Sequence, residues 1–169
     1  FKMETVQKVL NLVERDDHAI NLDLKDAYFH LKIFKSHRKY LRFAFQNVVY
    51  QFRALCFGPT SAPRVFTKIV SVVAAFLRKQ AVRMSIYLDD WLALKHCREK
   101  LLQDRALILN TLFQLGFIVN KKKSQLAPVQ KLTYIGCDFH LDKCMVFPTL
   151  ERVEKLKNIV LLISMGSNT

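Results

Sequence analysis

Hydrophobic positions recur with two different periods along this chain, and each change of period marks a new element. Over residues 5–13, Val6, Leu10 and Val13 share one helical face, and residues 20–24 then read as a strand. Residues 40–45 and 48–52 are aromatic and β-branched runs joined at Gln46-Asn47, the pattern of an antiparallel hairpin. Ser61 can cap a helix that has Pro63 in its first turn and runs to about Arg78, and residues 82–94 then read as strand, acidic turn, strand. A second long helix over 99–115 ends at Gly116, a suitable residue just past a helix terminus, and the basic run Lys121-Lys122-Lys123 follows. Residues 133–139 and 144–147 predict another hairpin. Thr149 caps a last helical pattern carrying Leu150, Val153, Leu156, Ile159 and Val160, ahead of a polar tail at 164–169. Strand, helix, strand, strand, helix predicts a two-layer α+β core of ferredoxin-like type, uninterrupted by repeats, linkers or low-complexity segments.

Composition narrows the class of partner. The chain has 169 residues, 51% of them hydrophobic, enough for one domain or the core of one with a real interior. Lys and Arg number 27 against 14 acids, a formal net charge of +13, as expected of a protein that follows a polyphosphate. Membranes and acidic partners also attract basic proteins. The longest apolar run, 69–77 interrupted by Ser71, is too short to cross a bilayer and is flanked by Lys68 and Arg78, so no membrane role is expected. No secretory signal is evident, and Cys56, Cys97, Cys137 and Cys144 lack the spacing of a zinc site. Reduced thiols and an intracellular setting, cytoplasmic or nuclear and not secreted, are expected. The histidines His18, His30, His37, His96 and His140 are scattered, and neither a Ser/His/Asp nucleophile pattern nor a Gly-rich phosphate loop is present.

The chemistry concentrates at Tyr87-Leu88-Asp89-Asp90, two adjacent acids between apolar runs. Carboxylates are costly to desolvate without a counter-charge or metal, and oxygen-only donors suit Mg²⁺ or Mn²⁺. A solvated hairpin tip is the plain alternative. A second acidic segment changes the picture: residues 20–24 deliver Asp23 near the end of another strand, and two ions about 3.5–4 Å apart need carboxylates from more than one segment.

In their order along the chain these segments resemble the palm motifs of reverse transcriptases: Asp23 with Asp26-Ala27-Tyr28, Gly-Pro-Thr-Ser-Ala-Pro at 58–63, Tyr-Leu-Asp-Asp at 87–90, Lys123 after Gly116, and Tyr134-Ile135-Gly136. The wording at 23–30, 37–43 and 62–68 is similar to DIRS-like retrotransposon polymerases. The resemblance covers nearly the whole chain, but the family's enzymes are much longer, with more fingers before and a thumb after. It implies an α+β right-hand polymerase palm with a ferredoxin-like core and a partial fingers hairpin. The implied division is start of palm at 1–30, partial fingers at 31–60, palm with catalytic turn and primer-grip hairpin at 61–147, and start of thumb at 148–169.

The resemblance also implies the chemistry: RNA-directed DNA synthesis by two-metal nucleotidyl transfer from a dNTP to a primer 3′-hydroxyl, with Mg²⁺, or Mn²⁺ in its place, as cofactor. Asp23, Asp89 and Asp90 with the Leu24 carbonyl would hold the ions, and Lys123 would protonate pyrophosphate, although a Lys-Lys-Lys run also suits a solvated loop. The amides of Asp26 and Ala27 would meet the triphosphate. Tyr28 would exclude a 2′-hydroxyl, although an aromatic after a strand is often plain core. Phe57 and Gly58 would pack against the nucleotide; Cys56 stands where the family's usual Leu-Pro-Phe-Gly pattern has Pro, which leaves the rigidity of that loop open. Tyr134-Ile135-Gly136 would form the primer grip, and Arg38, Lys39 and Arg42, interleaved with Tyr40 and Phe43 along the hairpin, would follow an RNA or DNA template. A solvated strand face would explain those charges as well. The expected setting is a retroelement polyprotein. An inactive remnant that binds nucleic acid and a viral RNA polymerase are the alternatives, the second opposed by Tyr28.

Overall fold

The computed structural model describes residues 4–166. Its centre is a four-stranded antiparallel sheet of β1 (His18–Asp23), β4 (Arg83–Tyr87), β5 (Asp90–Lys95) and β6 (Gln125–Val129), in the order β4-β5-β1-β6. With helices α2 (Ala62–Lys79) and α3 (Arg98–Gln114) as the two crossovers, the chain runs strand, helix, strand, strand, helix, strand. That is the ferredoxin-like order the sequence predicts, completed by a fourth strand it does not. Residues 125–129 read poorly as a strand because Pro128 interrupts them, and an edge strand is where a proline is tolerated.

Side chains alternate across the sheet and build two cores. Ile20, Leu22 and Leu24 with Trp91 and Ala93 pack toward Phe66, Val70 and Leu77 of α2 and Leu101, Ile108 and Leu112 of α3. On the opposite face, Ala19, Leu92 and Leu94 meet Val9 of α1 (Val6–Leu10) and Tyr134, Phe139 and Leu141. Asp23 shares the second face, two strand positions beyond Asn21, and so lies on the side away from α2 and α3.

Several predicted elements shift. The first helix is only one turn, with Val9 buried and Leu10 38% exposed, so the predicted apolar face is rotated. Residues 133–139 do not form one strand: the backbone turns at Ile135 (φ 42) and Gly136 (φ 73), dividing them between β7 (Lys131–Tyr134) and β8 (Cys137–His140). With β9 (Met145–Pro148) they make a three-stranded meander. The hairpin of β2 (Arg42–Phe45) and β3 (Val48–Gln51) turns at Gln46 and Asn47, both at positive φ, as a two-residue turn requires. Arg38, Lys39 and Tyr40 are not on it; they occupy a 3-10 helix, Lys35–Tyr40, because the chain turns before the strand begins. Ser61 makes no side-chain cap bond. Helix α4 (Leu150–Gly166) runs into the predicted polar tail, of which 167–169 lie outside the described residues. All four cysteines are free thiols, and no described helix is long and apolar enough to cross a membrane.

Candidate functional site

The turn between β4 and β5 places Asp89 at its tip and Asp90 at the first position of β5, while Asp23 ends β1. Asp23 and Asp90 are register partners. Both backbone groups of Asp23 turn the other way: its N–H donates to Ser124 Oγ (3.0 Å), and its carbonyl accepts from the Asn120 N–H (2.8 Å). The Asp23–Asp90 pair is therefore of the non-hydrogen-bonded kind, in which Cα atoms stand about 4.5 Å apart and side chains come closest. The next residue closes the site from the other strand, as the Leu24 N–H donates to the Asp89 carbonyl at 2.9 Å.

The turn itself is strained. Leu88 sits at φ 54, a backbone region unfavourable for a branched side chain by roughly 1–3 kcal/mol. The Leu88 carbonyl accepts a bond from the buried Trp91 ring N–H (3.3 Å), and the Tyr87–Asp90 pair closes the ladder, which together hold the conformation.

Burial, followed by the charges of Asp89 and Asp23, pushes the Asp90 carboxyl up to about 6, with the Lys123 ammonium opposing the shift. Lys123 thus reaches the acids by field although it is exposed on its turn. The donor set is all oxygen, matching a hard divalent cation in chemistry. It is not a ready-made cage: among the described residues no three His, Cys, Asp or Glu side chains form a group that could hold a metal ion. The expected cluster is thus two facing acids and a third on the adjoining turn.

Tyr28 lies in a 3-10 helix, Ala27–His30, that starts after Asp26, itself at φ 51. Its ring is 7% exposed and packs on Phe66 (centroids 5.1 Å apart) and on Phe57 (4.8 Å). Burial raises its hydroxyl pKa, reinforced by Asp89 and Tyr87, so Tyr28 adjoins the acidic turn. Phe57 is 68% exposed and Gly58, at φ 111, adopts a backbone geometry open to glycine but strained for other residues, so the pair forms an exposed shelf beside Tyr28.

The other expected contact residues separate. Gly136 is exposed in its turn and Ile135 half-exposed, but the Tyr134 side chain points inward and is 3% exposed. Its hydroxyl donates to the Asp90 carbonyl (3.1 Å) and lies 3.5 Å from Ser85 Oγ, so it braces the acidic strand and does not face outward. Burial drives its pKa upward. The Arg38 Nε–H donates to the Ile33 carbonyl (3.0 Å), Lys39 lies 5.2 Å from the centre of the Tyr40 ring, and Arg42 is exposed at the start of β2.

Sequence reasoning missed the supports beneath the acids. Glu4 accepts from Ser85 Oγ and from the Ile86 N–H (2.9 Å) and pairs with Arg78 (2.8 Å). Asn120 and Ser124 hold Asp23, and Asn21 Oδ1 accepts from the Gln125 N–H at 2.7 Å. These residues are polar or charged, and the partners they meet are mostly distant in sequence.

The family model described as "Reverse transcriptase (RNA-dependent DNA polymerase)" matches residues 2–139. The chain is 25% identical over 141 residues to an enzymatic polyprotein of Cassava vein mosaic virus, a match covering 80% of this chain and 21% of that protein. It is 30% identical over 116 residues to the Gag-Pol polyprotein of Walleye dermal sarcoma virus, covering 68% of this chain and 7% of that one. With the enzymatic polyprotein of Cauliflower mosaic virus (strain Strasbourg) it shares 23% over 182 residues, 99% of this chain and 26% of the relative. The chain thus spans about a quarter or less of each of these relatives. In fold it is similar to the foamy viral protease-reverse transcriptase in complex with RNA/DNA hybrid, with a TM-score of 0.77 at 22% identity over 94% of this chain and 21% of that one. A foamy viral protease-reverse transcriptase in complex with double-stranded DNA gives a TM-score of 0.79 at the same 22% identity, over 94% of this chain and 27% of that one.

Proposed function

Since the chain belongs to the reverse transcriptase family, we propose that it is the palm and part of the fingers of an RNA-directed DNA polymerase, carried in a retroelement polyprotein of the DIRS-like kind. The observation that carries the reading is the pairing of Asp23 with Asp90, with Asp89 on the adjoining turn: three acids from two chain segments at one end of the sheet, the facing pair on the side opposite α2 and α3.

Asp23 and Asp89, with Asp90 and the Leu24 carbonyl, would hold two Mg²⁺ ions, or Mn²⁺. Bound there, such ions supply Lewis acidity to a primer 3′-hydroxyl and neutralise charge on a triphosphate. The chain's own groups position the reactants. The Asp26 and Ala27 amides meet the triphosphate, Phe57 and Gly58 form the shelf for the base and sugar, and Tyr28, packed against Phe57, penalises a 2′-hydroxyl by bulk. Lys123 donates a proton to departing pyrophosphate. Ile135 and Gly136 meet the primer, while Tyr134 contributes by bracing the turn's strand. Arg38, Lys39 and Arg42 follow the template, Lys39 and Arg42 being exposed and Arg38 half-buried. Residues 1–30 and 61–147 form the palm, 31–60 the partial fingers and 148–169 the start of a thumb. The need for dNTPs sets the reaction inside a cell.

The test is primer extension by the polypeptide in its full reading frame, on an RNA template. Incorporation of dNTPs in preference to rNTPs is expected. Template binding without extension would favour the inactive remnant, and equal use of rNTPs would favour an RNA polymerase. The flanking reading frame, sequenced, tests the retroelement lineage.

A further inference from the structure

We propose that Ser124 is a positioning residue, its hydroxyl clamping the backbone of Asp23 to the same turn that carries Lys123. The inference rests on the polymerase reading and adds to it a residue that touches neither metal nor nucleotide.

Strand β6 pairs with β1 at Ala19–Val129 and Asn21–Gln125, with a register shift between, and the ladder stops short of Asp23. Beyond it an isolated bridge of Leu24 with Val119 takes over that edge and engages the Asp23 carbonyl but not its N–H, and an unpaired N–H in a half-buried strand end is unfavourable. Ser124 Oγ takes that role by accepting the Asp23 N–H at 3.0 Å and donating to the Asn120 carbonyl at 2.8 Å. Asn120 completes the loop by donating its own N–H to the Asp23 carbonyl at 2.8 Å. The Asn120 carbonyl also accepts from the backbone N–H of Lys123 (3.2 Å) and of Ser124 (3.0 Å), so the turn is closed on itself.

Two consequences follow for the site. Asp23 cannot rotate its strand end without breaking the clamp, so its carboxylate stays directed at the Asp90 side. The Lys123 backbone is tied through Asn120 to both polar groups of Asp23, which fixes the spacing between the proton donor and the acids. A hydroxyl is required because it must accept and donate at once, and threonine can replace serine while alanine and valine cannot.

The experiment compares Ser124→Ala, Ser124→Thr and Ser124→Val in the full-length polymerase, with Asp23→Ala as control. Hydrogen exchange of the Asp23 amide should accelerate at least about tenfold in the Ala and Val variants and stay near wild type in Thr, while Ile20 and Leu22 remain protected. Turnover number should fall about tenfold or more in Ala and Val, with KM for dNTP within about twofold, and Thr should restore it. Wild-type turnover in both Ala and Val, or failure of Thr to restore it, overturns the clamp and leaves the acidic site standing. Wild-type activity in Asp23→Ala overturns the site and the clamp together. Should Ala fold poorly, the contrast between the near-isosteric Thr and Val variants still decides.

Discussion

Asp23 and Asp90 face each other across β1 and β5 as a side-chain-close pair, so two like charges occupy directly opposed positions. Such opposition is unfavourable by up to about 1 kcal/mol. Burial first, then the charges of Asp89 and Asp23, raise the Asp90 carboxyl from 3.8 to about 6, so the folded state holds the proton more tightly than the unfolded one. Stability then falls as pH rises from about 4 to about 6, and the loss is complete above that range. Asp90→Asn should flatten this slope and raise the melting temperature at pH 7 by a few degrees in divalent-free buffer. Thermal melts across pH check it; a variant less stable than wild type at pH 7 would refute it.

Glu4 gives the opposite sign. Burial raises its pKa, but bonds from Ser85, Arg78 and Ile86 outweigh burial and leave the net value lowered. Its contribution is present above the ordinary glutamate range and is lost as pH falls through the lowered folded value. Glu4→Ala should cost about 1–3 kcal/mol at pH 7 by stranding the Ile86 N–H and the buried Ser85 hydroxyl, and much less in acid, as denaturant titration at two pH values would reveal.

Tyr28 separates bulk from hydroxyl chemistry. Tyr28→Val should raise rNTP incorporation relative to dNTP on the order of tenfold or more, whereas Tyr28→Phe should keep discrimination near wild type. Both keep an apolar group against Phe66, but Val leaves a cavity, so its melting temperature should also drop. Unchanged rNTP use by the Val variant would remove Tyr28 from nucleotide selection.

Arg42 and Arg38 should differ. The Arg38 side chain is already bonded to the Ile33 carbonyl, while Arg42 is exposed. Arg42→Ala should weaken template binding and reduce the slope of log affinity against log salt by about 1 unit. An unchanged slope would mean that Arg42 meets no phosphate.

The fold was legible wherever local pattern and tertiary need agreed. Alternation around Ile20 and Leu22, the Gln46-Asn47 turn and the long α2 and α3 patterns all announce their elements. Where tertiary pairing decides, the pattern was silent: β6 exists because β1 offers an edge, and Pro128 disguises it. The turn at Ile135 was hidden because a β-branched residue is a poor candidate for positive φ. The acids were legible by type and order. Their supports were not, because Glu4, Ser85, Asn120 and Ser124 act through bonds to residues dozens of positions away.

The central claim is that Asp23 and Asp89 jointly hold divalent cations. Titration of Mn²⁺ into the full polymerase with template-primer, followed by electron paramagnetic resonance, tests it most directly. Asp23→Asn and Asp89→Asn should each weaken Mn²⁺ binding at least about tenfold while template-primer affinity stays within about twofold. Mn²⁺ affinity equal to wild type in both variants would contradict the account.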